Sequence, residues 1–347
     1  MEPRPRKAHL VGSLAASDAR QAMELSLEVL GDRLDGLPDG ETGERSRWII
    51  HLLEALRNHP DLAVKKDGDW SSYRQCLIFK LKPGHRLRSQ TLRLGYADAF
   101  SESWPVFEEL RSRAGRPHLP FQQGVPGDLD LAISVLGRRG FVHRRPFTEA
   151  TLREIGAIDQ VAHGDVVLQI EVPFELVFVA KTRRFQPVMA GFLARGIAKL
   201  GRRSPSGTRF GVHLCLGDMN HKALLRMQDA QPLVLLANAI VRHWPTSASL
   251  EYVHAPFAAA AVPPSTDERW YAPLQHLSLP TSIRFIAGFA HEGQSLEEQR
   301  RILDMIERHA RRSVDISTSC GLGRRSPEDA KAAMERIAEL VRDEHER

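Results

Sequence analysis

The stretch DVVLQIEVP (165–173), followed by a segment of helical periodicity at 186 to 200 and then by RFGVHLCLG (209–217), decides the fold. Both runs are rich in apolar and β-branched residues and both end in Gly, Pro or a polar residue, which is typical of buried strands. The segment between them has the spacing of an amphipathic helix. A strand, a helix and a second strand in this order predict a βαβ unit with parallel strands.

The same alternation recurs along the whole chain. The other runs are KAHLVGS (7–13), LDGLPDGE (34–41), HLPFQQGVP (118–126), ASLEYVHAP (248–256), SIRFIAGFAH (282–291) and VDISTSCGLG (314–323). Helices are expected over 18–32, 46–57, 103–112, 148–161, 186–200, 232–243, 296–311 and 326–343. Repeated strand and helix units of this kind predict a single (β/α)8 TIM barrel over residues 1 to 347. A doubly wound open sheet is the main alternative, but no GxGxxG follows the first run.

One segment is longer than a single βα unit requires. Residues 58 to 101 follow the second expected strand and contain LIFKLKPG. We interpret this segment as an insertion, with a β-hairpin near the mouth of the barrel.

Composition and charge exclude several classes of protein. The chain of 347 residues is 42% apolar and 26% charged, with a net charge of +5, which is ordinary for a folded domain. Basic residues are scattered between acidic stretches, so a nucleic-acid-binding face is not expected. No run is long enough to span a membrane, and the first ten residues show no secretory signal. Three widely spaced cysteines do not form a disulfide framework, which favours a cytoplasmic location.

The active site of a TIM barrel lies at the carboxyl ends of its strands, so the chemistry of these ends is informative. His213 and Cys215 end the fifth run, and residues two apart on a strand point to the same side. An H-x-C pair alone is also typical of core packing around a hydrogen-bonded histidine. Cys320 at the end of the eighth run and Glu251 in the sixth complete a set of N, S and O ligands that Zn²⁺ prefers.

Other polar residues at strand ends have more than one interpretation. His291 ends the seventh run, where it would act as a general acid, as a further ligand or as a polar rim residue. Glu41 and Glu171 are suited to hold an ammonium group, but they are equally typical of loop caps and surface ion pairs. Cys76 stands next to Leu77 and Ile78, so we expect a small buried hydrophobic residue there.

Taken in order, several of these motifs resemble the C-terminal catalytic barrel of cobalamin-independent methionine synthase. That barrel belongs to the wider group of barrels similar to uroporphyrinogen decarboxylase and methionine synthase. The resemblance covers nearly the whole chain, although identity between the motifs is low. It rests on VGS (11–13), DGE (39–41), QIEVP (169–173), HLC (213–215), LE (250–251), GFAH (288–291) and SCGLGRR (319–325).

The resemblance implies a role for each matching residue. His213, Cys215, Glu251 and Cys320 would hold zinc, and His291 falls at the position of the family's proton donor. The family has Asp where this chain has Glu171, which leaves the identity of the thiol open. The residues that would contact the amino-acid part of a thiol such as homocysteine are Val11, Ser13, Glu41 and Glu171.

The implied activity is zinc-dependent transfer of a methyl or other alkyl group to a thiol, with zinc activating the thiolate. Full-length synthases of the family carry a further N-terminal barrel that helps to bind the folate donor. The resemblance therefore leaves folate, a corrinoid or another compound as the alkyl donor. A second hypothesis keeps the zinc site but uses an epoxide or C–S bond cleavage. A third is a binding protein in which zinc is structural or absent.

Overall fold

The structure is a computed structural model that describes residues 5 to 342, and its centre is a curled, parallel sheet of seven strands. The strands of the described range are β1 (Leu37–Pro38), β2 (Leu62–Lys66), β3 (Ile78–Leu81), β4 (Phe121–Pro126), β5 (Val166–Glu171), β6 (Arg209–His213), β7 (Ser249–Pro256), β8 (Arg284–Ala290) and β9 (Asp315–Thr318). The strand order across the sheet is β1, β4, β5, β6, β7, β8, β9. Seven of the predicted strands are confirmed, all parallel to their neighbours.

The first run, 7 to 13, does not form a regular strand as predicted. Its residue Ala8 makes single parallel bridges to Leu34, next to β1, and to Ile316 of β9. The amide of His9 donates to the carbonyl oxygen of Ile316 at 2.9 Å, and the amide of Ala8 donates to that of Arg33 at 2.8 Å. The run therefore lies between the two edges of the curled sheet, although it pairs over very few residues.

Helices surround the sheet, and all eight predicted helices are present with shifted ends. The expected end of the last helix at Asp343 lies outside the described residues. The helices are α1 (Ala19–Leu30), α2 (Trp48–Ala55), α3 (Tyr96–Arg113), α4 (Asp128–Leu136), α5 (Arg145–Ala162), α6 (Pro173–Lys181), α7 (Gln186–Arg203), α8 (Gln231–His243), α9 (Leu296–Ala310) and α10 (Pro327–Arg342). Helix α3 starts well before the predicted 103, directly after Gly95 with φ of +80°, and it contains Pro105.

The predicted hairpin within residues 58 to 101 is present as the antiparallel pair β2 and β3. Its strands are joined by residues 67 to 77, and a bulge lies between Val64 and Lys66. The proposed insertion does not extend to 101 as a separate unit, because α3 already begins at Tyr96. The hairpin packs against α4, with Leu77 and Phe79 buried in a small cluster of their own.

The main core lies between the sheet and its helices, and Val167, Tyr252 and Ile286 of the strands form a small separate cluster. Apolar side chains of the strands, such as Phe121, Leu168, Phe210 and Phe285, are at most 2% exposed. Burial of this kind stabilises the fold by about 25 cal/mol per Å² of apolar surface. Among the described helices, none is both long and apolar enough to cross a membrane.

Candidate metal centre

Three of the predicted metal ligands come together at the carboxyl ends of two strands. His213 is the last residue of β6, Cys215 follows two positions later, and Cys320 follows β9. One possible ligand atom of each residue lies within 4.8 Å of the others. Two further strands, β7 and β8, separate β6 from β9, so the curl of the sheet is what brings the two cysteines together.

The two sulfur atoms lie 3.8 Å apart and interact directly. The hydrogen bond from Cys215 is the main reason why the pKa of the Cys320 thiol lies well below its usual range, and the charge of Arg324 lowers it further. The same hydrogen bond, together with burial, raises the pKa of Cys215. An Nη atom of Arg324 donates to the Cys320 sulfur at 3.1 Å, and the amide of Gly217 donates to that of Cys215 at 3.2 Å. One thiolate is thus already stabilised within the pair.

The donor set fits zinc. Two Zn–S bonds of about 2.3 Å at a tetrahedral angle place two sulfurs roughly 3.8 Å apart, which is the separation of Cys215 and Cys320. In addition, Nε2 of His213 is buried and has no hydrogen-bond partner among the described residues. A buried polar atom without a partner is costly unless something binds it. An imidazole nitrogen and two thiolates are the ligands that zinc prefers.

A second histidine lies beside this group. Nδ1 of His213 is 2.7 Å from Nδ1 of His254, which stands at the same level on the neighbouring strand β7. Nε2 of His254 lies 2.9 Å from the carbonyl oxygen of Thr318. Both rings are fully buried, and burial holds the pKa of His254 well below its usual range, so this ring is neutral.

The structure does not bring Glu251 to the metal group, which corrects its expected position. Strand β7 continues to Pro256, so Glu251 is near the amino end of the strand and not at its carboxyl end. Its carboxylate accepts from Nε of Arg209, the first residue of β6, at 3.1 Å and from the Ser249 hydroxyl at 3.0 Å. Glu251 therefore belongs to the opposite end of the sheet.

His291 also lies apart from the metal group. Its Nε2 is 3.0 Å from the carbonyl oxygen of Ala260, and its Nδ1 accepts from the amide of Gly293 at 2.9 Å. The side chain is 3% exposed, and burial lowers its pKa. With both ring nitrogens bound to backbone, His291 does not take the position expected of a proton donor.

A cavity of about 610 Å³ opens above the sulfurs. Cys215, Cys320 and Arg324 form part of its wall. The four residues expected to contact a thiol substrate, which are Val11, Ser13, Glu41 and Glu171, line the same cavity. The structure thus gathers seven of the nine predicted site residues at one place and leaves out Glu251 and His291.

Glu41 and Glu171 face each other in this cavity. A side chain at Gly124 would place its Cβ 2.7 Å from one oxygen of Glu41 and 3.5 Å from one of Glu171, so this glycine leaves the space that the two carboxylates share. Burial and the negative charge near Cys320 raise the pKa of Glu171 to about 8, and burial and Glu171 raise that of Glu41. Glu41 also has φ of +42°, an uncommon conformation for a residue with a side chain. Ionising both carboxyl groups is unfavourable in this buried space because their negative charges repel. A bound cation would offset this repulsion, so the pair is suited to receive one.

The rest of the cavity is mostly apolar. The hairpin covers one side of it, where the hydroxyl of Tyr73 donates to the carbonyl oxygen of Lys222 at 3.1 Å and the side-chain amide of Asn220 donates to that of Trp70 at 2.8 Å. Cys76 is only half-buried and lines the cavity, which corrects its expected place in the core. The apolar lining is formed by Trp48, Ile49, Ile50, Leu53, Trp70, Ile78, Ile133, Phe141, Phe174 and Phe178.

Two residues of the site were not predicted as members. Arg324 was quoted only as part of SCGLGRR, and its contact with Cys320 four positions earlier depends on the turn after β9. His254 was visible at the end of the sixth run, but Glu251 was preferred there. Aligning the carboxyl ends of the two neighbouring runs could have identified His254, because it pairs with His213 in the parallel register.

The fold and the site together define an α/β protein with a curled parallel sheet and a His, Cys, Cys group at the carboxyl ends of its strands. Neither a family model nor a curated protein matches the sequence. Among solved structures, the chain is similar to a Listeria monocytogenes protein provisionally assigned as a vitamin-B12-independent methionine synthase. The TM-score is 0.55 with 14% identity, over 99% of each chain. At this identity the likeness concerns the fold.

Proposed function

We propose that the protein is a zinc-dependent enzyme that transfers a methyl or other alkyl group to a thiol such as homocysteine. The observation that carries the proposal is the group of His213, Cys215 and Cys320, because its two cysteines line the same cavity as Glu41 and Glu171. The similarity of the whole chain to a protein assigned as a methionine synthase supports the same function and a distant relation to that family.

Zinc held by His213, Cys215 and Cys320 would supply a Lewis acid that keeps a thiol substrate as its thiolate at neutral pH. The protein's own contribution is to fix the ligands. Arg324 holds the Cys320 sulfur through its hydrogen bond, and the amide of Gly217 holds that of Cys215. Cys215 is buried and Cys320 is half-buried, so a substrate in the cavity would displace water from the sulfurs.

Glu41 and Glu171 are proposed to bind the ammonium group of an amino-acid thiol. Their shared space over Gly124 lies in the same cavity as the sulfurs, so one substrate would reach both places. Val11 and Ser13 are proposed to contact the remainder of the amino-acid part. Glu251 and His291 are left out of the proposal because of the positions described above.

The apolar part of the cavity favours a second candidate for the alkyl donor. Folate and corrinoid donors carry many polar groups, whereas Phe174, Phe178 and Ile133 offer none to bind them. An electrophile with an apolar group, such as an epoxide or another alkyl compound, matches this wall better. Measuring turnover with methyl donors and with epoxides of increasing chain length would distinguish the two classes of alkyl donor. Phe178→Ala should reduce turnover of the longer epoxides more than that of a small methyl donor.

We further propose that the curled sheet is a (β/α)8 barrel, one domain over residues 1 to 347, with the hairpin of β2 and β3, inside the predicted segment 58 to 101, as an insertion near its mouth. Support comes from the bridges of Ala8 to both edges of the sheet and from the contact of the hairpin with the cavity. A cytoplasmic location remains a prediction from the reduced cysteines the site needs.

X-ray absorption at the zinc edge, with and without homocysteine, tests the proposed function. Addition of the thiol should increase the number of zinc–sulfur contacts by about one, as expected when a substrate thiolate enters a catalytic zinc site. Des-thiol analogues should leave the spectrum unchanged. A zinc spectrum that no thiol changes would favour a binding protein with structural zinc. Full activity without metal would contradict the proposal.

A further inference from the structure

The pair of buried histidines beside the metal group has a defined direction of proton donation. A carbonyl oxygen accepts hydrogen bonds and never donates them, so Nε2 of His254 must carry the hydrogen in its 2.9 Å contact with Thr318. A neutral imidazole has one N–H, which leaves Nδ1 of His254 as an acceptor. Its partner at 2.7 Å, Nδ1 of His213, must therefore be the donor. With one hydrogen on the His213 ring, that hydrogen is on Nδ1, and Nε2 is the nitrogen left to bind a metal.

A glycine makes this arrangement possible. His254 stands on β7 and Thr318 on β9, so the contact between them passes over the intervening strand β8. A Cβ at Gly288 of β8 would lie 2.7 Å from Nε2 of His254 and 2.7 Å from the carbonyl oxygen of Thr318. Any side chain at this position would enter the hydrogen bond itself. The ring of His254 is thereby held at both ends, with no exposed surface.

We propose that His254 is a positioning residue that fixes His213 as the tautomer with hydrogen on Nδ1, so that its bare Nε2 is presented to the metal with Cys215 and Cys320. The inference rests on the metal site of the proposed function. The buried Nε2 of His213 supports it, because this is the one ring nitrogen of the pair that has no hydrogen-bond partner in the described part of the chain. The nitrogen of a histidine that binds metal is set by the hydrogen bond of the other nitrogen.

The consequence for the metal group is that β7 contributes no direct ligand. Both ring nitrogens of His254 are engaged in hydrogen bonds, one with Thr318 and one with His213, and Glu251 lies at the other end of the strand. The described residues thus offer three ligands, which is the number typical of catalytic zinc sites with one position left for substrate.

The tautomers can be measured directly in the metal-free, full-length protein. Labelling histidine with ¹⁵N and recording long-range ¹H–¹⁵N correlations reports which nitrogen of each ring is protonated. We expect His213 to carry hydrogen on Nδ1 and His254 on Nε2, with assignment from the His213→Gln and His254→Asn variants. Hydrogen on Nε2 of His213 would overturn the proposal, whatever activity the protein has.

Zinc affinity provides the second measurement, by competition with a chromophoric chelator. His254→Leu removes the acceptor for His213 and should weaken zinc binding by about 10 to 100-fold. His254→Asn places an amide oxygen near the former Nδ1 and should recover most of the affinity. Gly288→Ala should resemble His254→Leu, because the new Cβ would lie 2.7 Å from both Nε2 of His254 and the carbonyl oxygen of Thr318, so the ring must leave this contact. His276→Leu, at a histidine outside the site, is the matched control.

Spectra of the cobalt-substituted protein separate the outcomes. We expect the cobalt bands of His254→Asn to match those of the wild type, since the directly bound atoms are unchanged. Bands that report the loss of one nitrogen ligand would show His254 to be a direct ligand and overturn the proposal, as would wild-type zinc affinity in His254→Leu. Normal zinc binding without any alkyl transfer would contradict the proposed function alone. Unfolding curves identify any variant that fails to fold. In that case the tautomer measurement on the wild type decides whether the proposal holds.

Discussion

The sulfur atoms of Cys215 and Cys320 lie 3.8 Å apart, and the guanidinium of Arg324 donates to one of them at 3.1 Å. This separation is too long for a disulfide, whose S–S bond is about 2.05 Å. It agrees instead with two sulfurs that share one tetrahedral ion. The relationship leads directly to a prediction about metal content.

Purified protein should contain about one zinc ion per chain, because one donor group of this kind is present among the described residues. Cys215→Ser and Cys320→Ser should each lose most of it, as measured by elemental analysis after dialysis. Cys76→Ser is the matched control, since Cys76 lines the same cavity but lies outside the metal group. Equal zinc content in all three variants would contradict the assignment of the ligands.

Glu171→Gln should selectively weaken binding of thiols that carry an ammonium group. Hydrogen bonds to charged groups contribute about 1.5 to 3 kcal/mol, so KM for homocysteine should rise roughly 10 to 100-fold. The des-amino analogue 4-mercaptobutyrate should bind the variant and the wild type equally. Steady-state kinetics with both thiols make the comparison.

A companion variant tests the same space from the opposite wall. In Gly124→Ala the new Cβ would lie 2.7 Å from a Glu41 oxygen, so the carboxylate must move. The same selective loss of homocysteine is expected. An equal loss for both thiols would show that the carboxylates do not recognise the ammonium group.

Asp35 should make stability depend on pH without affecting the metal site. It contacts His9 at 3.1 Å and pairs with Arg284. Burial alone would raise the pKa of Asp35, but the charges of Arg284 and His9 outweigh it and hold this pKa well below its usual range. The stabilisation is therefore present above the unfolded pKa of about 3.9 and is lost as the pH falls below it.

The Asp35→Asn variant measures this contribution. At pH 7 it should be less stable by about 3 kcal/mol, because Arg284 loses its closest partner in a buried site. Below about pH 4 the difference from the wild type should shrink by roughly 1.4 kcal/mol per pH unit. Urea unfolding at pH 7, 4 and 3 gives these values. A difference that stays constant with pH would contradict the ionised state of Asp35, and zinc content should not change.

Tyr73→Phe should loosen the hairpin over the cavity. The variant loses the hydrogen bond to the carbonyl oxygen of Lys222, which contributes about 1 kcal/mol. The population of the open hairpin should then rise about fivefold. Limited trypsin digestion at Arg74 should accelerate by the same factor, whereas global unfolding in urea should change little. Unchanged cleavage would show that other contacts hold the hairpin.

Most of the fold could be predicted because the strands are buried runs separated by amphipathic helices. Helix α4 escaped prediction because every one of its residues except Ser134 is buried, so no polar face reveals its period. Helix α6 starts at Pro173, directly after the last strand residues, and was absorbed into the run QIEVP. The first run was predicted to be a full strand because its sequence is apolar, but it forms parallel bridges only at Ala8 among the described residues.

The site could be predicted where residue type and strand end coincide, as for His213 and Cys215. Where a run is long, composition does not say which residue stands at its carboxyl end. Strand β7 continues past Glu251 to Pro256, so the residue near its carboxyl end is the buried His254 and not the predicted Glu251. The bonds of His291 to backbone depend on the loop at Ala260, which is distant in sequence and left no local signal.

The two cysteines of the metal group are 105 residues apart along the chain. Closing a loop of this length in an unfolded chain costs roughly 4 to 5 kcal/mol of entropy, whereas the assembled strands from β6 to β9 already hold the two sulfurs together. Metal capture after these strands assemble is therefore favoured over capture by the unfolded chain, in contrast to zinc fingers, whose ligands are close in sequence. Metallation is expected to be a late event in maturation, and metal content to report how much of a preparation has reached the native state.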